Sequence, residues 1–324
     1  MISREDSGSK PKIRLGISRC LLGDKVRYDG GHKLDRFLTG TLGKWVEYVP
    51  VCPEVECGMP IPREPMHLEG DPASPRLVTI KTGVDKTDQM IRWARRRVVE
   101  LEKERLLGFI FKSDSPSSGM ERVKVYGEKG MPVRSGVGMF ARVFMDHFPL
   151  IPVEEEGRLH DPALRDNFIE RVFTLARWRE IVVERKNRGG LIEFHTRHKL
   201  LILAHSTRHY QELGKLVGRA KEIPAGDLFE QYEKQLIEAL KIRATAKKNA
   251  NVLMHMAGYF KKHLSAGEKE ELLDIIDLYR NDGVPLVVPI TLINHYVRKY
   301  GQAYLKEQLY LNPHPRELQL RNHV

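Results

Sequence analysis

Three cysteines are the residues of this chain best suited to metal or nucleophilic chemistry: Cys20, Cys52 and Cys57. An odd number of thiols in a 324-residue chain does not indicate a disulfide framework, and it favours free thiols, metal ligands or nucleophiles. Thiolates bind soft and borderline metals. Cys52 and Cys57 lie five residues apart, and with the distant Cys20 they suit a site with three protein ligands.

Two kinds of metal site fit these cysteines. A structural zinc ion needs a fourth ligand, which His32 or His67 can supply. An iron-sulfur cluster with three protein ligands instead leaves one iron open, and an open metal site acts as a Lewis acid. The alternative is that the cysteines are small buried hydrophobic residues.

Three predicted strands position these residues. Cys20 follows a predicted strand at Ile13–Ser18, and Cys52 with Glu54 follows one at Val46–Val51. A third predicted strand, 107–112, runs into the polar loop 113–119. Open α/β sheets hold ligands at the carboxyl ends of their strands, so we expect the three loops to form one crevice.

The wider pattern predicts two domains of different class. Residues 1–155 alternate short β-rich runs, including 77–80, with a long amphipathic helix at 85–106, which predicts an α/β domain with a mostly parallel, Rossmann-like sheet. An acidic stretch at 154–157 is expected to be flexible, and residues 156–324 are predicted to form an all-α accessory domain. Ser265 and Glu268 predict a capping box in that domain. The predicted helices are 161–185, 190–204, 207–220, 225–240, 247–264, 266–281 and 289–300.

Composition narrows the class of protein. With 30% charged and 41% hydrophobic residues, the chain is predicted to be a soluble globular protein rather than a disordered tail. Its longest apolar runs are shorter than the roughly 20 residues of a membrane span, and residues 1–12 lack the apolar core of a secretory signal. We therefore expect a cytoplasmic protein without membrane insertion. The net charge of +11 favours an anionic partner such as nucleic acid.

Several motifs at the strand ends resemble those of the thiouracil desulfidase family, TudS. They are Cys20-Leu21-Leu22-Gly23, Arg27-Tyr28-Asp29-Gly30, Pro50-Val51-Cys52-Pro53-Glu54 and the loop from Lys112 to Gly119. With its helical second half, the chain is similar to the longer, RudS-type desulfidases that act on 4-thiouridine in RNA. The resemblance implies a 4Fe-4S cluster held by three cysteines, whose open iron takes the sulfur of a thiolated uracil.

Residue by residue, the resemblance places two cluster ligands on Cys20 and Cys52, the acidic catalytic residue on Glu54, and the loop serine on Ser115. The family has its third cysteine where this chain has Ser118. Three explanations remain open: Cys57 takes over as the third ligand, Ser118 ligates weakly or stands in place of a cysteine, or the site has lost its cluster.

The implied reaction is a hydrolysis without net redox change. Metal binding makes the thiocarbonyl carbon electrophilic, water adds to it, and hydrosulfide leaves. Glu54 is expected to pass the proton as general base or acid, and Ser115 to hold the base or the water by hydrogen bonding. Arg27, Asp29, Lys112 and Ser117 are candidates for binding the substrate and its phosphate.

Basic residues in the second half favour RNA, with tRNA as the expected class, over a free base. Tyr210, Tyr259 and His255 are candidates for stacking on an extruded base. The rival interpretations are a non-catalytic RNA-binding or metal-sensing protein that has lost the cluster, and a desulfidase of free thiouracil. The oligomeric state is left open. The basic residues are Arg177, Arg179, Arg185, Lys186, Arg188, Arg197, Lys199, Arg208, Lys215, Arg219, Lys241, Arg243, Lys247 and Lys248.

Overall fold

The computed structural model describes residues 13–127, 130–184, 187–318 and 320–323. Contacts within the chain define two compact units, Met1–Asp161 and Pro162–Val324. The first unit is α/β and the second is helical, which confirms the predicted fold class. Arg185 and Lys186, two of the basic residues noted above, lie outside the described residues. No helix in the described part of the chain is long and apolar enough to cross a membrane.

A four-stranded parallel sheet forms the framework of the first unit. The strands are β1 (Ile13–Ser18), β2 (Val46–Val51), β5 (Gly108–Phe111) and β8 (Val153–Glu155). Their spatial order is β2-β1-β5-β8, and β1 pairs in parallel with both β2 and β5. The predicted first two strands match the observed ones residue for residue, and the third is shorter by one residue at each end.

A second, mixed sheet lies in the same unit and was not predicted as a separate sheet. Of its strands only one was expected in part, at 77–80, and that strand pairs antiparallel with β3 (Met66–Glu69) rather than joining the parallel sheet. The strands are only four or five residues long, so their hydrophobic alternation is too brief to identify them. They are β4 (Arg76–Thr79), β3 (Met66–Glu69), β6 (Val123–Tyr126) and β7 (Pro132–Gly136), in spatial order.

The prediction that the acidic stretch after Pro152 is flexible is wrong, because this stretch contains β8 and its glutamates are buried. Glu155 accepts hydrogen bonds from the backbone amides of Met120 and Glu121, and Glu154 pairs with Arg158 at 2.6 Å. Three consecutive acidic residues suggest a solvated loop when the sequence is considered alone. Here each carboxylate has a specific donor, which lets the segment join the sheet.

Two helices and a group of aromatic rings cover the parallel sheet. The helices are α2 (Thr87–Glu102), whose apolar face was predicted, and α3 (Met139–His147), which was not. Phe109 stacks on Phe111 with ring centroids 4.3 Å apart and contacts Phe144 at 4.6 Å. Gly16 makes room for this group, because a Cβ there would lie 2.1 Å from the Phe109 ring.

The second unit is a helical bundle that follows the predicted pattern closely. Side-chain caps explain several helix starts, and the predicted capping box between Ser265 and Glu268 is confirmed. Its helices are α4 (Pro162–Glu184), α5 (Arg188–His205), α6 (Thr207–Gly218), α7 (Ala225–Lys241), α8 (Ala246–Gly258), α9 (Ala266–Arg280), α10 (Val287–Lys299) and the short α11 (Ala303–Lys306).

A buried ionic network joins α4 to α5 and to the end of the chain. Glu170 lies with one carboxylate oxygen 2.5 Å from Nε2 of His205, and its other oxygen accepts a hydrogen bond of 2.7 Å from Arg321. Burial alone would raise the pKa of Glu170, but the hydrogen bonds and charges of His205 and Arg321 outweigh it and lower the pKa to about 2. The ordinary value is near 4.5, so this carboxylate stabilises the folded unit above that pH and loses its contribution as the pH falls toward 2.

We predict that Glu170→Gln lowers the free energy of unfolding of the helical unit by about 3–5 kcal/mol at pH 7, because it leaves the buried guanidinium of Arg321 without its carboxylate partner. Wild type should become less stable as the pH falls from 4.5 to 2, and the stability of the variant should fall less over the same range. Thermal melting followed by circular dichroism at several pH values measures both effects. Glu238→Gln, at an exposed position on α7, is the control and should behave like wild type. Equal melting of Glu170→Gln and wild type would contradict the prediction.

Candidate active site

A cavity of about 390 Å³ opens where β2, β1 and β5 end. The loop after each strand contributes lining residues: Cys20 after β1, Cys52 and Glu54 after β2, and the segment from Lys112 to Pro116 with Ser118 after β5. The predicted convergence of the three loops is therefore present in the structure. The volume lies within the range of about 300–1,000 Å³ that is typical of small-molecule sites.

Two of the three cysteines line this cavity. Cys20 lies in a 3₁₀ turn, Arg19–Leu22, directly after β1, and Cys52 precedes the short helix α1 (Pro53–Glu56). The amide of Cys52 donates to Glu56 Oε1 at 2.8 Å, which fixes the start of that helix. Burial, and next the charge of Glu54, raise the pKa of Cys20 to about 11 and that of Cys52 to about 12. Both side chains are therefore neutral thiols at pH 7 in the protein without metal.

Cys57 is not among the residues that line this cavity. It follows the last residue of α1, packs against the hydrophobic core beneath the sheet, and donates from Sγ to the backbone carbonyl of Glu54 at 3.2 Å. Neither it nor the two candidate zinc ligands, His32 and His67, is among the residues that line the cavity. Within the described ranges, no group of three His, Cys, Asp or Glu side chains is close enough together to hold a metal ion.

Glu54 is the centre of the hydrogen-bond network at the cavity. Its Oε1 accepts a bond of 2.5 Å from the hydroxyl of Ser117, and its Oε2 lies 3.5 Å from the thiol of Cys52. The hydroxyl of Ser115 is 3.0 Å from that of Ser117. Ser115 therefore reaches the carboxylate through Ser117, and the serine that contacts Glu54 directly is the one the sequence suggested for substrate binding.

Arg63 is a cavity residue that the sequence analysis missed. Its side chain is 8% exposed, its guanidinium lies 3.7 Å from Glu54 Oε2, and it donates to the carbonyl of Val26 at 3.0 Å. Arg63 comes from the segment between α1 and β3, which follows no strand of the parallel sheet, so the strand-end criterion could not find it. A proline on each side, with one residue between Arg63 and Pro65, was the only signal of a fixed local conformation.

The serine loop is held in shape by its own hydroxyls and by α3. The hydroxyl of Ser115 accepts from the amides of Ser117 and Ser118, at 3.3 and 3.1 Å. The first amides of α3 donate to the carbonyls of Pro116 and Ser117. Gly138, just before that helix, approaches so closely that a Cβ there would lie 2.6 Å from the carbonyl carbon of Ser117.

The candidate substrate-binding residues occupy different places. Arg27 and Lys112 line the cavity, whereas Asp29 and Ser117 do not. Lys112 donates to Glu156 at 2.5 Å and to the hydroxyl of Ser113 at 3.0 Å, so its ammonium group has partners within the protein. Asp29 accepts from the amide of Gly31 at 2.9 Å and shapes its own turn.

Comparisons with known proteins agree with this site. Residues 15–156 match the family described as 2-thiouracil desulfurase. The N-terminal region belongs to the 2-thiouracil desulfurase family. The match contains all three strand-end loops of the cavity, so the desulfurase region and the candidate site coincide in the chain.

The remaining comparisons are a second family match, a related protein and a solved structure. Residues 199–315 match a family described as a protein of unknown function, DUF1722. The uncharacterized protein YbgA of Escherichia coli strain K12 is 34% identical over 158 residues, which are 48% of this chain and 94% of YbgA. A solved structure of a [4Fe-4S]-dependent thiouracil desulfidase, TudS, is 30% identical and covers 48% of this chain and 97% of its own, with a TM-score of 0.39.

We predict that Gly138→Ala disturbs the candidate site more than the fold. The added methyl group must displace the peptide between Ser117 and Ser118, and a shift of about 1 Å at a catalytic group costs on the order of 100-fold in rate. The melting temperature and the rate of sulfur release from a thiolated uracil measure the two effects. Gly40→Ala is the control, because a Cβ at Gly40 meets nothing within 4 Å. An unchanged rate in Gly138→Ala would show that the serine loop tolerates the displacement.

Proposed function

We propose that this protein removes sulfur from 4-thiouridine in RNA, with tRNA as the RNA class, and that the reaction is a hydrolysis assisted by a 4Fe-4S cluster. The observation that carries the proposal is the convergence of Glu54, two thiols and a serine loop on one cavity within the desulfurase region. In this reaction the oxygen of water becomes the new ring carbonyl oxygen. The sulfur leaves as hydrogen sulfide or hydrosulfide, with no electrons gained or lost overall.

Two side chains at the cavity carry donor atoms that are compatible with an iron-sulfur cluster. Cys20 and Cys52 carry soft sulfur donors from adjacent strand ends, and both are at least nine-tenths buried. Their thiols must lose protons when metal binds, as is general for cysteine ligands. When bound, the cluster supplies an open iron that acts as a Lewis acid toward the thiocarbonyl sulfur.

Glu54 is the residue that moves the proton in this proposal. Its carboxylate takes a proton from the attacking water and delivers it to the departing sulfur or to the ring. Ser117 fixes one carboxylate oxygen by donating to it, and Arg63 lies beside the other. These contacts orient the carboxylate before the substrate enters, so little reorganisation is needed during the reaction.

Charge supports RNA as the substrate class. The chain carries a net charge of +11, and exposed lysines of the helical unit include Lys215, Lys241, Lys247, Lys261 and Lys262. Lysine and arginine side chains position nucleic acids through their phosphates. Arg177 contributes little to this surface, because it is only partly exposed and its guanidinium donates to His198 and to the carbonyl of Pro313.

An exposed aromatic face in the helical unit supports the same class. Tyr259 is 43% exposed and stacks on Tyr304 with ring centroids 5.1 Å apart. The ammonium group of Lys199 lies 4.9 Å from the centre of the Tyr304 ring. His255 is exposed one helical turn before Tyr259. Aromatic rings beside cations are the usual platform for unstacked bases.

We predict that Glu54→Gln abolishes sulfur release from thiolated RNA while the iron content stays that of wild type. The amide keeps the size of the side chain but cannot accept the proton of water. Anaerobically reconstituted protein, assayed for iron and for uridine formed from 4-thiouridine, tests this. Glu100→Gln, at an exposed position on α2, is the control and should keep full activity. Wild-type protein that binds thiolated RNA without converting it would favour a non-catalytic binding protein.

We predict that Tyr259→Ala weakens RNA binding by about 1–3 kcal/mol, the loss expected for one stacked base. Conversion of free thiouracil should be unchanged, because only RNA reaches the helical unit in this proposal. Binding to thiolated tRNA at two salt concentrations gives the affinity and its salt dependence. Ile192→Ala removes another exposed apolar side chain of the same unit and should bind normally. A wild-type enzyme that converts only the free base, with no RNA affinity, would identify thiouracil as the substrate.

A further inference from the structure

An exposed tyrosine lies at the rim of the strand-end cavity. Tyr28 is one of the residues that line this cavity, yet the residue is 42% exposed. The guanidinium carbon of Arg27 lies over the Tyr28 ring, 5.4 Å from the ring centre. An aromatic ring with an arginine beside it is a surface on which a nucleic-acid base can stack.

The backbone that carries Tyr28 is held by a tight turn. The amide of Gly30 donates to the carbonyl of Arg27 at 3.0 Å, and the amide of Arg27 donates to the carbonyl of Gly31 at 3.2 Å. Gly30 has a φ of 74°, a conformation that glycine adopts without strain. The tyrosine therefore projects from a fixed backbone, which lowers the entropy cost of binding a ligand there.

Arg63 links this turn to the carboxylate of Glu54. The amide of Arg63 donates to the carbonyl of Tyr28 at 2.8 Å, and its guanidinium lies 3.7 Å from Glu54 Oε2. One residue thus connects the rim of the cavity with the group that moves the proton in the proposed reaction. Because an RNA chain is continuous, the nucleotides next to a base held beside Glu54 must lie at the opening of the cavity.

The size and charge of the cavity leave room for more than a ring. Its volume of about 390 Å³ is typical of sites for drug-sized ligands, which are larger than a single pyrimidine. Five of its lining side chains are cationic and three are carboxylates. Two of the cations lie near Tyr28 in sequence: Lys33 is exposed, and Arg27 pairs at 3.6 Å with Asp29, whose own side chain is about half exposed. Such cations are suited to the phosphates of a nucleic acid.

We propose that Tyr28, Arg27 and Lys33 form a subsite for the nucleotide that adjoins the thiolated one in single-stranded RNA. The base of this nucleotide stacks on Tyr28, and its phosphate lies between the cations of Arg27 and Lys33. This inference rests on the proposed function, since it presumes that RNA enters the cavity. It gives the first unit its own means of preferring RNA to a free base.

The experiment compares full-length, anaerobically reconstituted wild type with Tyr28→Ala, Tyr28→Leu and Tyr28→Phe. Val99→Ala, at an exposed apolar position on α2 that does not line the cavity, is the control. The substrates are free 4-thiouracil and a short single-stranded RNA that contains one 4-thiouridine. Binding of the same RNA without sulfur is measured in a Tyr259→Ala background, which removes the proposed stacking position of the helical unit. Circular dichroism checks that each variant is folded.

We expect Tyr28→Ala and Tyr28→Leu to lower both the affinity for the RNA and kcat/KM for its conversion by about 5- to 150-fold, the loss for one stacked base. The change should appear in KM rather than in kcat, because stacking holds the substrate and the transition state equally. Conversion of free 4-thiouracil should stay at the wild-type level. Tyr28→Phe and Val99→Ala should behave like wild type, since the former keeps the aromatic face.

Lys33→Ala tests the phosphate contact. It should reduce the slope of log affinity against log salt concentration by roughly 0.7, the value for one phosphate contact on a single strand. An unchanged slope would remove Lys33 from the subsite.

Three results overturn the stacking role of Tyr28. An equal loss with free 4-thiouracil and with RNA would place Tyr28 at the target ring, and an equal loss in Tyr28→Phe and Tyr28→Ala would assign the effect to the phenol hydroxyl. Unchanged RNA binding in the folded Tyr28→Ala and Tyr28→Leu variants, or no RNA binding before either change, would show that no base stacks there. The proposed function fails separately: wild type that converts neither substrate rejects desulfidation, whereas weaker RNA binding by Tyr28→Ala would still support the subsite.

Discussion

The parallel alignment of β1 with β2 on one side and β5 on the other is the constraint on which the site depends. Neighbouring parallel strands end at the same edge of a sheet, so loops separated by more than thirty residues in sequence come within contact distance. Cys20, Cys52, Glu54 and the serine loop meet for this reason. Gly16 contributes from within β1, because only a residue without a side chain lets Phe109 lie against that strand.

The second constraint is the contact between α3 and the serine loop. Amides at the start of α3 that have no partner within the helix donate to carbonyls of the loop, so the helix start and the loop satisfy each other. Gly138 makes the close approach geometrically feasible. The segment Gly136-Val137-Gly138 is not a dinucleotide-binding motif, and in this fold its two glycines serve packing: Gly136 lies against Val125 and Gly138 against Ser117.

The sequence predicted the parts of the structure that rest on local signals. The two strands before Cys20 and Cys52 and the helices of the second unit were found because hydrophobic period and capping residues determine them. The second sheet was missed because its strands are too short to show a period. Contacts between residues distant in sequence could not be predicted either, because no local pattern reveals them. Examples are the hydrogen bond from Ser117 to Glu54 and the position of Arg63 beside the same carboxylate. The packing of Cys57 against the core, while Ser118 lines the cavity, is another.

The pairing of Lys112 with Glu156 affects how the desulfurase region can be studied in isolation. Glu156 also accepts hydrogen bonds from the amide and the hydroxyl of Ser113, so one carboxylate at the end of the first unit anchors the start of the serine loop. The region's last few residues thus belong to the site rather than to a connecting segment. A shortened protein that ends before Glu156 would keep every cysteine and Glu54, yet it would remove the carboxylate that pairs with Lys112 and that holds the start of the serine loop.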